Sequence, residues 1–150
     1  SLVLDIEGRM AADELFKVAS RELAPSLGIS QDELEGKLRG REKENSTVLN
    51  DFLAVPHVVI PGEKKFQLLL VRARKGIRFS REAPSVKAVF VIVGTPDDRS
   101  FHLRLLAAIA QVFQAEDFQE LWMAATNEQG LRDLVLLSER RRGEKGECRM

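Results

Sequence analysis

The residues from Val86 to Val93 constrain the fold more than any other part of the chain. Their sequence, VKAVFVIV, is rich in β-branched residues and shows no alternation of apolar and polar positions. A strand of this kind is buried on both faces, as are the central strands of sheets that helices cover on two sides. Segments with helical periodicity lie before and after it. We therefore predict an α/β domain in which a mixed sheet is sandwiched between helices.

The spacing of apolar residues predicts the remaining elements. Helices are expected over residues 13–27, 30–39, 100–114, 118–123 and 128–138, and further strands over 2–4, 52–55 and 65–74. Gly28 is expected to cap the first helix, Ser30 to open the second, and residues 76–80 to form a connecting loop. We predict a single domain over residues 1–138, followed by a charged, frayed tail over residues 139–150.

The charge balance limits the classes of partner. Lys plus Arg equals Asp plus Glu, at 23 each, which gives no electrostatic argument for nucleic acid or a membrane surface as partner.

The single cysteine, Cys148, excludes an internal disulfide and fits a reducing compartment. No apolar run approaches the roughly 18 residues of a membrane span, and we see no signal peptide. The chain begins at Ser1, as expected of a processed protein or a piece of a longer one.

The candidate chemistry lies in the stretch that ends at His57. A predicted strand stops at Pro56, which fixes its own φ and restricts the residue before it. An imidazole placed directly after such a stop can act as a nucleophile or as a proton carrier near neutral pH. Arg41, Ser46 and Thr47 precede it closely, and guanidinium and hydroxyl groups are suited to holding phosphoryl oxygens.

The same residues also fit less specific roles. His57 taken alone is consistent with a half-buried loop histidine, and the Ser-Thr pair with an ordinary turn. A triad of Ser46, His57 and Asp51 would make His57 the general base of a hydrolase, although nothing in the spacing resembles a nucleophile elbow. Two histidines and a tail cysteine do not supply a zinc site unless carboxylates fill most positions, and the glycine-rich nucleotide motifs are missing.

The stretch REKENSTVLNDFLAVPH resembles the active-site segment of the fructose/mannitol type of enzyme IIA in the bacterial sugar phosphotransferase system, a family that includes nitrogen-regulatory IIA-like proteins. The family segment has an Arg-Glu pair, a Ser/Thr turn and a short strand ending in Ala-[Ile/Val]-Pro-His. Three later segments, ARKGIRFS, VKAVFVIVGTPDD and SFHLRLLAAIAQVF, resemble further parts of the family in the same order. The resemblance covers about residues 3–138.

The resemblance implies a mixed sheet sandwiched by helices and a phosphoryl carrier without metal or other cofactor. His57 would be the phosphoryl acceptor, and His102 would orient or stabilise the phosphohistidine. Arg41, Ser46 and Thr47 would hold the phosphoryl oxygens. The donor would be the phosphorylated carrier protein HPr or a nitrogen-branch paralogue, and the recipient a IIB domain or a regulated transporter, in the cytoplasm.

One departure from the family pattern motivates a second hypothesis. A small residue commonly follows the Pro-His of the family, whereas Val58 and Val59 follow it here, and we expect them to crowd the approach of the donor. The alternative is a regulatory IIA-like domain with weak or no transfer, appended to a membrane permease or antiporter as its cytoplasmic part. The chain is a phosphotransferase only if His57 can accept a phosphoryl group and pass it on.

Overall fold

A computed structural model describes residues 2–112 and 116–135, without the side chains of residues 98 and 116. The strands are β1 (Leu2–Ile6), β2 (Met10–Ala11), β3 (Leu53–Ala54), β4 (His57–Val59), β5 (Phe66–Arg78) and β6 (Val86–Gly94). They form one mixed sheet with the order β1-β5-β6-β3, in which β2 also pairs with β5 and β4 with β6. The β5–β6 pair is antiparallel, and the other pairs are parallel.

Helices cover both faces of this sheet, which confirms the predicted fold class. The helices are α1 (Ala12–Leu27), α2 (Gln31–Glu44), α3 (Arg99–Val112) and α4 (Glu116–Ala124), and residues 128–135 are also helical. Gly28 caps α1 with a φ of 67°, and the Ser30 hydroxyl accepts the Glu33 N–H at the start of α2, as predicted. The predictions for residues 113–115 and 136–150, including the frayed tail, lie outside the described residues.

Side chains of β6 alternate between two apolar clusters because successive residues of a strand point to opposite faces. Val89, Val91 and Val93 pack with α1 and α2, whereas Phe90 and Ile92 pack with α3, α4 and the last helical stretch. Every β6 residue except Lys87 is buried. The unalternating apolar run is therefore explained by a strand with a hydrophobic core on each side.

The end of α2 and the end of β5 differ from the sequence-based expectation. The α2 helix continues past Gly40 to Glu44, because the residues after that glycine are good helix formers and one glycine costs only about 1 kcal/mol. Residues 76–78 belong to β5 and do not form a loop. Gly76, with a φ of 87°, accommodates a register shift in the pairing of β5 with β6 and lets the strand continue to Arg78.

The histidine after Pro56 begins a strand of its own. Proline has no N–H to donate, so the predicted strand over residues 52–55 is interrupted. The Pro56 carbonyl nevertheless accepts the Ile92 N–H, and His57 to Val59 pair in parallel with the end of β6. Val58 is turned into the core and Val59 outward, 43% exposed, so only one of the two valines borders the surface near His57.

Candidate functional site

A cleft of about 580 Å³ opens between α2 and α3, which pack on opposite faces of the sheet, and β4 also lines it. One wall is the second half of α2, the floor is β4, and the other wall is the first half of α3. It is lined by Lys37, Gly40, Arg41, Glu44, His57, Val58, Val59, Arg99, His102, Leu103 and Leu106. Both histidines of the chain and Arg41 therefore share one cleft.

The main chain orients the imidazole of His57. Its Nδ1 lies 2.8 Å from the carbonyl oxygen of Val55. A carbonyl oxygen only accepts hydrogen bonds, so Nδ1 carries the proton and Nε2 is the unprotonated nitrogen, which bears the lone pair. The ring is half-buried and Nε2 is the nitrogen left available to react. No carboxylate among the described residues pairs with His57, which argues against a hydrolytic triad through Asp51.

The guanidinium of Arg41 contacts that unprotonated nitrogen. Its Nη2 lies 3.5 Å from Nε2 of His57, and its Nη1 donates to the carbonyl oxygen of Asn45 at 2.9 Å. The second contact fixes the plane of the guanidinium at the end of α2, where the helix leaves carbonyl groups without intrahelical partners. A permanent positive charge is thus held next to the nucleophilic nitrogen.

His102 reaches the cleft from α3 and is almost completely buried, with 3% of its surface exposed. Its ring packs edge-on against Phe66, with centroids 5.2 Å apart. It also rests on Gly94, where a β-carbon would overlap Nε2 of the imidazole. The ring position is therefore set by the absence of a side chain at the end of β6.

The turn before α3 is held by a network around Thr95. The Thr95 hydroxyl donates to Asp97 at 2.5 Å, and the N–H of Lys64 donates to the same carboxylate at 2.9 Å. These two hydrogen bonds lower the pKa of Asp97. The network anchors the first turn of the helix that carries His102.

Ser46 and Thr47 do not line the cleft. The N–H and hydroxyl of Thr47 both donate to the carboxylate of Glu42, at 2.9 and 2.8 Å, and the residue is buried. The Ser46 hydroxyl accepts the N–H of Val48. In this arrangement the pair anchors the segment between α2 and β3, and its contact with phosphoryl oxygens stays a prediction.

Several residues of the cleft were not singled out from the sequence. Lys37 lies one turn before Arg41 on α2, and Arg99 lies one turn before His102 on α3. Leu103, 59% exposed, also lines the cleft. Lys37 and Arg99 could have been found from the sequence by their spacing from Arg41 and His102, because residues three or four apart share a helix face.

This sheet between two helical layers is similar in fold to solved structures of enzyme IIA proteins of the phosphotransferase system. The family model for the phosphoenolpyruvate-dependent sugar phosphotransferase system, EIIA 2, matches residues 7–137, and the chain belongs to this family.

Three known proteins illustrate the similarity. The mannitol-specific phosphotransferase enzyme IIA component of Bacillus subtilis (strain 168) is 27% identical over 124 residues, which cover 79% of this chain and 82% of that protein. The crystal structure of the nitrogen regulatory protein IIA-Ntr from Neisseria meningitidis has a TM-score of 0.81 at 25% identity, covering 89% of this chain and 92% of that one. The mannitol enzyme IIA of Escherichia coli, solved in complex with phosphorylated enzyme IIB, has a TM-score of 0.70 at 18% identity, covering 90% and 93%.

Within the described residues, none of the helices combines the length and the apolar character that crossing a membrane requires.

Proposed function

We propose that the chain is a phosphoryl carrier that accepts the phosphoryl group of phosphorylated HPr, or of a nitrogen-branch paralogue, on Nε2 of His57. The observation that carries the proposal is the pair of contacts on the imidazole. Nδ1 is held by the Val55 carbonyl at 2.8 Å, and the guanidinium of Arg41 lies 3.5 Å from Nε2. The first contact fixes the reactive tautomer, and the second provides a positive charge where phosphoryl oxygens would lie.

The same geometry supports transfer in both directions. As the lone pair of Nε2 forms the new N–P bond, the N–P bond of the donor breaks, and the proton on Nδ1 stays with His57. The phosphorylated ring is then an imidazolium, from which neutral imidazole can leave, whereas an unprotonated phosphorylated ring would have to release an imidazolate. Positioning and charge stabilisation account for most of the catalysis of such transfers. His102, on the opposite wall, would orient the phosphoryl group.

The border of the cleft supports docking of another protein. Val59 and Leu103 are exposed at its opening, and exposed apolar side chains beside a reactive group are typical of interaction sites. The similar mannitol enzyme IIA of Escherichia coli is known in complex with phosphorylated enzyme IIB. We propose a IIB domain as the recipient here, and a location in the cytoplasm, where these partners act. Residues 1–138 would be the carrier domain.

Incubation with phosphoenolpyruvate, enzyme I and HPr tests the proposal. We expect an acid-labile phosphohistidine on the wild-type chain and none on His57→Ala, because His57 presents an unprotonated ring nitrogen beside the guanidinium of Arg41. Arg41→Gln should slow labelling by about 100-fold, as expected for loss of a charged group that stabilises the transferred phosphoryl. Failure of wild-type protein to be labelled by HPr or its nitrogen-branch paralogue would refute the carrier role.

A regulatory role is the second candidate, and the similarity to IIA-Ntr of Neisseria meningitidis favours it. In this version His57 is phosphorylated in the same way, and the phosphorylation state controls another protein, such as a transporter. The two candidates differ in the recipient. Phosphorylated protein mixed with a mannitol or fructose IIB domain should lose its label to a cysteine of that domain if it is a sugar carrier, and keep it if it is regulatory.

A further inference from the structure

Two cations of the cleft, Lys37 and Arg99, have no role in the carrier mechanism described above. Lys37 precedes Arg41 by four residues on α2, and Arg99 precedes His102 by three residues on α3. Residues at these spacings share one face of a helix. Each wall of the cleft therefore presents a cation together with a residue of the proposed site, and His57 lies on the floor between the walls.

Neither cation is engaged elsewhere. Within residues 2–112 and 116–135, the side chains of Lys37 and Arg99 form no hydrogen bond and no ion pair, whereas Arg39, Arg72 and Arg74 all pair with carboxylates. The cleft lining contains one carboxylate, Glu44, so its formal charge is +2 in a chain whose net charge is zero. A concave site with a surplus of one charge concentrates the field and attracts an anion.

We propose that Lys37 and Arg99 complete the binding site for the phosphoryl group on His57. The inference rests on the proposed function, since it assumes that Nε2 carries the phosphoryl group. With Arg41, the two residues provide one cation for each of the three terminal oxygens, from both walls of the cleft. The planar guanidinium of Arg99 suits contact with two oxygens at once, and the ammonium of Lys37 acts as a point charge.

Phosphoramidate allows a test without any partner protein. In its zwitterionic form the P–N bond breaks as Nε2 of His57 bonds to phosphorus, and neutral ammonia leaves with the bonding electrons. The proton on Nδ1 of His57 remains in place, so charge and atoms balance. The rate of phosphohistidine formation and its half-life, both followed by ³¹P NMR, then report on the phosphoryl site alone.

The test compares Arg99→Gln and Lys37→Gln with matched controls on the same helices. Arg104→Gln on α3 and Lys43→Gln on α2 remove exposed cations that do not line the cleft. We expect phosphoryl transfer to slow about ten-fold in Arg99→Gln and in Lys37→Gln, and to stay within about two-fold in the controls. Arg99→Lys should recover part of the loss, and added salt should narrow the difference from wild type.

The outcomes separate this inference from the function on which it rests. If wild-type protein is labelled at His57 but Arg99→Gln and Lys37→Gln react like their controls, the added cations have no part in the site and the carrier role stands. If wild-type protein is labelled neither by phosphoramidate nor by phosphorylated HPr, both fail. Thermal unfolding of each variant verifies that slow reaction does not reflect loss of the fold, and exposed side chains such as that of Arg99 should leave the midpoint unchanged.

Discussion

Gly94, the last residue of β6, lies against the imidazole of His102. A β-carbon at this position would overlap Nε2 of that ring and would lie 3.2 Å from Cδ2 of Phe66. Phe66 packs edge-on against His102, so the imidazole would have to shift to make room for that β-carbon. At the scale of single residues, the second histidine of the site thus depends on a neighbour that carries no side chain.

We predict that Gly94→Ala displaces the ring of His102 and shortens the lifetime of the phosphohistidine, while His57 is still labelled. Overpacking of this kind costs about 1–3 kcal/mol of stability. The ring resonances of His102 and the decay of the phosphohistidine provide the measurements. Gly36→Ala is the control, because its β-carbon would meet no atom within 4 Å and alanine favours the helix. Unchanged His102 resonances in Gly94→Ala would contradict this view of the packing.

The last turn of α2 is the element on which the position of Arg41 depends. Glu42, the next residue, accepts hydrogen bonds from the N–H and the hydroxyl of Thr47. These contacts tie the end of the helix to the segment that leads into β3. Because Thr47 is buried, its donors would lack partners if the carboxylate were removed.

We predict that Glu42→Ala lowers the free energy of unfolding by about 2 kcal/mol. It should also slow phosphorylation of His57 several-fold, because the guanidinium of Arg41 is less firmly held. A double-mutant cycle with Thr47→Val, followed by urea denaturation, measures the coupling, which we expect to be about 1 kcal/mol. Strictly additive effects of the two substitutions would mean that this contact does not stabilise the turn.

Elements whose signals are local could be predicted from the sequence, and those that depend on distant contacts could not. The apolar run of β6, the Gly28 cap and the Ser30 cap all follow from neighbouring residues. In contrast, β4 exists only because residues 57–59 find hydrogen-bond partners at the end of β6. Likewise, Lys37 and Arg99 line one cleft only because helices on opposite faces of the sheet both border it, which no pattern within either helix records.

At the scale of the whole molecule, the buried side chain of Arg72 joins the sheet to α4, one of the helices that cover it. Arg72 on β5 is fully buried and bonds the carboxylate of Asp5 on β1 at 3.0 and 2.5 Å. Its Nη1 also donates to the carbonyl oxygens of Trp122 and Ala125 at the end of α4. The hydrogen bond from Arg72 lowers the pKa of Asp5, with a smaller effect from Arg74.

We predict that Arg72→Met costs about 3 kcal/mol of stability, because it leaves a carboxylate and several carbonyl groups without their donor. Arg74→Met, whose side chain is 41% exposed, should cost at most about 1 kcal/mol. Chemical denaturation of the two variants tests the difference. Equal losses would mean that the exposed arginine is as important to Asp5 as the buried one.

The lowered pKa of Asp5 also predicts how stability depends on pH. A carboxylate with a folded-state pKa below its unfolded value of 3.8 stabilises the fold above that pH, and the contribution disappears as the pH falls through the folded-state pKa. Denaturation midpoints recorded between pH 6 and pH 2, about two units on either side of that reference value, should therefore fall more steeply in wild type than in Arg72→Met.

The group that holds the ring of His57 is a carbonyl of the main chain, two residues earlier. No point mutation deletes a peptide oxygen, so the tautomer of this histidine is protected from substitution at every neighbouring position as long as the residues between Val55 and His57 keep their conformation. Substitutions among homologous chains can then change the entrance of the cleft, its charges and its partner while Nε2 of His57 keeps its lone pair. If His57 is phosphorylated as proposed, we expect a homologous chain to lose that phosphorylation first through substitutions in the walls of the cleft.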